Sequence, residues 1–283
     1  MTATPRRRAL ARELREARRS SGLSMRQVGD RLGWSESKVS RFERGVFGSE
    51  PDYDDVLRFL TAIGQPQSRQ EPILRLVREI NEPVWWEFGL ELSTQTTALL
   101  DAEQRAHRIL QTSVTVVPGL LQTRNYSRAL LRETLLDTGN IDEYVEMRQV
   151  RKRVFGYRKL DEYAVVLDES TLRPIGTADT MVEQLEHLRE LAEEPKISIT
   201  VVRNDLDTGS YPGLAGGFEL IDFGHDRAVV HVEHRSCGVF VDDPDDVRPF
   251  REVADRVRKV ALSERESAEL IAEYAQQYRR RKG

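Results

Sequence analysis

Between Ser24 and Gly45 the chain reads SMRQVGDRLGWSESKVSRFERG, and there Arg26, Gln27, Ser35, Ser37, Lys38, Ser40, Arg41 and Arg44 gather donors and cations suited to gripping a polyanion. The chemistry they offer is recognition rather than bond making. Arginine and lysine donate to guanine O6 and N7, at about 1 to 3 kcal/mol for a well-placed bidentate contact. Serine hydroxyls and backbone amides meet phosphate oxygens and set the register on a duplex. Ser37, Lys38 and Arg41 are expected at base edges, and Ser35 at a phosphate. Arg6, Arg7 and Arg8 serve equally well as an arm on the DNA backbone or minor groove, or as a solvated terminus.

Two short helices must position these groups. Ser24 is suited to cap the first, which places Met25, Val28, Gly29 and Leu32 on one face. Gly33 supplies a turn, and Ser35 caps the second, with Val39 and Phe42 inward and polar residues outward. Gly45 is expected to end it. Glu43 suits an ion pair with a nearby arginine better than base reading. A helix with Leu10, Leu14 and Ala17 inward precedes this pair; one starting at Pro51 and one from about Glu71 follow it, making five helices within residues 1–80.

The spacing resembles that of the lambda-repressor-like (Xre) helix-turn-helix family, carried here by Leu32, Gly33, Ser35, Ser37, Ser40, Arg41, Glu43 and Gly45. The resemblance implies a five-helix domain that reads double-stranded DNA with a recognition helix over about 35–44. It also implies a phosphate or base contact for Gln27. Charge agrees: residues 1–45 hold 12 arginines and lysines against five acids, whereas residues 46–283 carry a net charge of −11. Such asymmetry places a phosphate-seeking surface at one end and a self-solvating acidic body at the other.

Beyond a connector at 81–97 containing Trp85 and Trp86, expected to pack rather than bind, residues 98–278 read as an α+β domain before a basic tail at 279–283. Helices are expected at 98–111, 123–135, 141–157, 179–192, 243–262 and from Ser263. Apolar alternation places strands at 163–167, 197–202, 217–223 and 228–233, with a short β-branched run at 114–117, giving a sheet of about four to five strands. The segments VVPGLLQTRNYSRALL (116–131), VVLDESTLR (165–173), GTADTMVEQLEHL (176–188) and GLAGGFELIDF (213–223) resemble the C-terminal domain of unknown function found in actinobacterial antitoxin-like Xre regulators. Where that pattern has Arg-x-x-Arg-Gln-x-x-Leu, this chain has Arg148, Arg151, Lys152 and Phe155. The resemblance implies a small partner protein encoded nearby, and leaves as the alternative reading an interaction module that sequesters that partner and binds DNA only at its own promoter.

One recognition helix covers only about four to five base pairs, so useful specificity calls for two copies on a near-palindromic operator. A homodimer is expected, with Leu270, Ile271, Tyr274 and Tyr278 as candidate contacts. The single Cys237 excludes an intramolecular disulfide, and with no signal-like or membrane-spanning apolar run the reading is cytoplasmic and nucleoid-associated. No metal or cofactor is expected: His231, Glu233 and Cys237 share strand parity, but His234 points the other way, and Asp242, Asp243, Asp245 and Asp246 suit helix capping better than calcium. The glycines of 209–217 match no phosphate cradle, and Asp168 and Glu169 lack a catalytic partner, so no enzymatic activity is expected.

Overall fold

The computed structural model describes residues 5–47, 51–81, 94–134, 141–205, 209–224, 228–233 and 238–281. Trp85, Trp86, His234 and Cys237 lie outside them. The chain divides into two compact units, Met1–Ala98 and Leu99–Gly283.

The first unit contains α1 (Pro5–Ser20), α2 (Met25–Leu32), α3 (Glu36–Phe42), α4 (Tyr53–Ala62) and α5 (Gln67–Asn81). One residue in three or four turns inward on each helix, so Leu10, Leu14, Val28, Val39, Phe42, Val56, Phe59, Leu60 and Val77 meet in one core. Phe42 is its hub, with ring centroids 5.1 Å from Trp34, 5.2 Å from Phe47 and 5.5 Å from Phe59. Two starts differ from expectation. Asp52, not Pro51, opens α4 by accepting from the Asp55 amide, and α5 begins at Gln67 rather than about Glu71, its polar first turn carrying no apolar signal in the sequence.

The second unit is α+β, built on a six-stranded mixed sheet in the order β3-β2-β1-β4-β5-β6. The strands are β1 (Arg108–Ser113), β2 (Glu162–Asp168), β3 (Ile197–Val202), β4 (Phe218–Asp222), β5 (Ala228–Glu233) and β6 (Gly238–Val241). β1, β2 and β3 run parallel, while β4, β5 and β6 continue the sheet by antiparallel pairing from β1. α6 (Thr94–Arg105), α7 (Arg124–Thr134), α8 (Ile141–Arg151), α9 (Ala178–Leu191), α10 (Pro244–Val260) and α11 (Glu264–Arg280) complete it. One sheet face, with Ile109, Tyr163, Val165, Leu167, Ile199, Val201 and Ile221, shares a core with α6, α7, α9 and α11. The other, with Leu110, Phe218, Leu220 and Val230, packs on Val247 and Ala254 of α10.

Four expectations are corrected here. The helix expected over 98–111 stops at Arg105, and β1 occupies Arg108–Ser113 as a central strand. The run Val114–Val117 is a bend, closed by the Ser113 hydroxyl donating to the Val116 carbonyl at 2.7 Å. α8 ends at Arg151, and a 3-10 turn spans Lys152–Gly156. The proposed dimer face of α11 points inward: Leu270, Ile271 and Tyr278 are buried, the Tyr278 hydroxyl donates to the Leu172 carbonyl at 2.8 Å, and that of Tyr274 to Glu169 Oε1 at 2.8 Å. The amphipathic stripe meets α9 and β3 of its own unit, which is why it is apolar. α11 also absorbs Arg279 and Arg280 of the expected tail. Among the described residues no helix is long and apolar enough to cross a membrane.

Candidate nucleic-acid interface

Sequence-local hydrogen bonds set the entry and exit of both motif helices. Ser24 and Gln27 form a reciprocal capping box on α2: the Gln27 amide donates to Ser24 Oγ at 3.2 Å and the Ser24 amide to Gln27 Oε1 at 2.8 Å. Gln27 therefore keeps only its amide NH2 for a ligand. At the other end Gly33 takes φ +68° and the Trp34 amide donates to the Gly29 carbonyl at 2.9 Å. A Cβ on Gly29 would stand 2.6 Å from the Trp34 carbonyl oxygen, so the tight turn requires glycine at that position.

Ser35 caps α3, its hydroxyl accepting from the Lys38 amide at 3.1 Å. The regular helix ends at Phe42, three residues before the expected Gly45. Gly45 instead closes a Schellman turn at φ +70°, with the Val46 amide donating to the Arg41 carbonyl at 3.0 Å and its own to the Phe42 carbonyl at 3.1 Å.

The orientation of α3 against α1 is fixed by Glu43, 1 % exposed. Arg18 grips its carboxylate through Nε and through Nη2 at 3.0 Å, and donates to the Leu23 carbonyl at 2.8 Å. Arg15 donates to the Glu43 carbonyl at 3.0 Å. Arg31 of α2 donates to the Ala62 carbonyl, and Arg58 of α4 to the Leu32 carbonyl, tying α2 to α4. These arginines belong to the scaffold, although their charge alone marks them as phosphate ligands.

The remaining groups divide by what already holds them. Arg26, Ser37 and Arg41 are exposed, and their side chains have no partner among the described residues. Arg44 Nε donates to the Ser40 carbonyl at 3.3 Å, and Ser40 is half-buried. Lys38 is folded back: its ammonium lies 3.3 Å from Asp55 Oδ2 and 3.8 Å from the Trp34 ring centroid. Asp55 sits one helix away, and no local pattern links it to Lys38. Arg6, Arg7 and Arg8 form the opening of α1, which Pro5 starts; the side chain of Arg6 lies outside the described residues, and those of Arg7 and Arg8 are half-buried.

The second unit interrupts its apolar core with a polar row. Gln111 of β1 pairs with Glu219 of β4, and Glu219 with His231 of β5. The Tyr163 hydroxyl donates to Gln111 Oε1 at 2.7 Å. Beside the row lie Arg151 of α8 and Glu103 of α6, joined by two hydrogen bonds, the longer 3.1 Å from Arg151 Nε. Burial opposes the Arg151 charge, but Glu103 outweighs it and holds the guanidinium protonated. Burial, reinforced by Glu103, pushes the Glu219 carboxyl well above the usual range. Burial likewise lowers His231. Arg148 donates to Gln122 Oε1 at 2.6 Å, and Gln122 is fixed by its own bond to the Val117 carbonyl at 2.7 Å. Sequence reading picked out Arg148 and Arg151 without a role; Glu103 and Glu219 gave no signal. Among the described residues no group of three acidic, histidine or cysteine side chains could hold a metal.

Compared with known protein families, residues 9–72 match a helix-turn-helix domain, and residues 96–273 match a domain of unknown function (DUF5753). Neither the curated proteins nor the solved structures contain a match.

Proposed function

The chain belongs to the DUF5753 family, with a helix-turn-helix domain ahead of the family's domain, and from that premise we propose a sequence-specific transcriptional regulator of the Xre, lambda-repressor-like type. The observation that carries this reading is the division within the motif. Arg15, Arg18 and Arg31 are spent on the scaffold, while Arg26, Ser37 and Arg41 stand exposed on the motif helices without protein partners among the described residues. Arg41 is the principal base reader in this proposal, with Ser37 beside it and Ser35, Ser40 and Arg44 at the backbone. Lys38 contributes once it leaves Asp55 for DNA.

Two copies act on a near-palindromic operator, through a contact other than the buried face of α11. The second unit is regulatory, taking a ligand or a small partner protein, and no enzymatic activity is assigned to it. The test is binding to the chain's own upstream DNA across a salt series. Wild type should prefer this site to random duplex, with log affinity falling steeply against log salt. Arg41→Ala should lose about 1 to 3 kcal/mol and most of the discrimination. Equal binding of wild type to both duplexes would defeat the reading.

A further inference from the structure

We propose that Lys152 is a covalent modification site, an acceptor of small acyl groups from acyl phosphates, with His187 as its general base. The assignment is independent of the DNA-binding reading.

The geometry is that of an activated nucleophile. Lys152 opens the 3-10 turn that follows α8, and its Nζ lies 3.2 Å from Nε2 of His187 on α9. On the other side of the imidazole, Nδ1 faces Glu190 Oε2 at 3.8 Å. Nucleophile, base and orienting carboxylate thus stand in the order that acyl-transfer sites use. The carboxylate favours the proton on Nδ1, which leaves the Nε2 lone pair to the amine. Glu183, His187 and Glu190 recur at i, i+4 and i+7, so one face of α9 presents all three. Lys152 and His187 are half-buried and both glutamates are exposed, which places the group at the surface rather than in the core.

The contact also sets Lys152 apart from other lysines of the chain. Lys38 meets Asp55, and Lys196 donates to the Tyr157 carbonyl at 3.4 Å, but Lys152 meets a second base. Two cations at that separation would repel, so the pair favours a state in which one of them is neutral. The surrounding charges are mixed. Arg124 of α7, itself paired with Glu146 of α8, works against the Lys152 charge, while Glu183, which accepts from Asn125 Nδ2 at 2.6 Å, supports it. Burial is the largest influence, and the ammonium is pushed down to about 8. Burial and Lys152 also lower His187, against the pull of Glu190 and Glu183, so that the imidazole is neutral at pH 7 and free to accept a proton.

The step balances with an acyl phosphate as co-reactant. The neutral amine of Lys152 attacks the carbonyl carbon, and a C–N bond forms. The C–O bond to phosphate breaks, its electron pair leaving on the phosphate, and the proton lost by nitrogen passes through His187 Nε2 to that departing group. The products are an amide on Lys152 and inorganic phosphate, and the surface between α7 and α9 loses a cation. Arg124, more than half exposed in its ion pair with Glu146, supplies a guanidinium suited to the phosphate of the donor.

The experiment incubates the full chain with acetyl phosphate at a series of pH values from 6.5 to 10 and follows initial acetylation of each lysine by peptide mass spectrometry. At pH 7 a group at about 8 is neutral roughly one time in ten, against about one in three thousand for an ordinary lysine, and its lower basicity gives back part of that gain. Lys152 should therefore acetylate about tenfold faster than the exposed Lys159 and Lys259, and its rate should level off above about pH 9 while theirs continue to climb. His187→Gln should slow Lys152 by about tenfold at pH 7 and leave Lys159 and Lys259 unchanged. Acetylation of Lys152 no faster than that of the two exposed lysines, or a rate that follows theirs up to pH 10, overturns the site. So does a folded His187→Gln that modifies Lys152 at the wild-type rate. The wild-type pH profile requires no variant and decides the proposal even where His187→Gln fails to fold.

Discussion

Glu43 and Glu219 are both carboxyls inside the protein, yet their surroundings give them opposite chemistry. Glu43 is met by the guanidinium of Arg18, and the pair clamps α1 to the end of α3. Removing one partner of such a buried pair leaves an uncompensated charge, so Glu43→Ala should cost about 3 to 5 kcal/mol in urea denaturation. A loss below about 1 kcal/mol would mean that the clamp is dispensable. Glu219 has a neighbouring carboxylate in Glu103, and burial keeps its proton on. The sign follows: the folded state holds a proton that the unfolded chain, near the ordinary glutamate value of 4.5, releases. Its stabilising contribution is complete below that pH and is lost as pH rises towards the folded value, at about 1.4 kcal/mol per unit. Glu219→Gln should abolish this part of the slope, so the variant gains on wild type between pH 5 and pH 8. Parallel stability curves for the two proteins would contradict it.

At the scale of elements, the turn between α2 and α3 depends on the absence of a side chain. Alanine at position 29 would improve helix propensity by about 1 kcal/mol. Its Cβ would also press on the Trp34 carbonyl, 2.6 Å away and part of the backbone, which has nowhere to swing. The clash should win, with Gly29→Ala net destabilising by about 1 to 2 kcal/mol and weakening DNA binding as α3 is re-aimed. Thermal melting and operator titration would show it; a stabilised variant with full affinity would refute it. α11 makes the complementary point. Its stripe of Leu270, Ile271 and Tyr278 is amphipathic in the way an interface helix is, but α9 and β3 already cover it.

For the whole molecule, charge is spread unevenly along the chain. The first 45 residues are basic and the rest carries a net −11, so electrostatic attraction to DNA is concentrated in the first unit. A single seven-residue α3 reads too little sequence for specificity, which is the ground for proposing two copies per operator. Scrambling one half-site should therefore lower affinity by ~100-fold, and sedimentation on the intact operator should give two chains per duplex. One chain per duplex with no half-site dependence would sink the dimer.

Helix caps, glycine turns and the basic excess are local properties, so the motif around Ser24, Gly33 and Ser35 could be read from the sequence alone, as could β3 and β5 to the residue. β1 could not, because a central strand with Gln111 and Thr112 among its inward groups lacks clean alternation, and these groups find partners in Tyr163 and the Phe218 amide of other strands. The same reason hid the docking of Lys38 on Asp55, the arginines spent on the scaffold, and the row of Glu219. Sequence determines which groups the chain carries and how each short segment caps and turns. Only the tertiary structure decides which charges are matched, because partners such as Arg18 and Glu43, or Arg151 and Glu103, are distant in the chain and meet through packing.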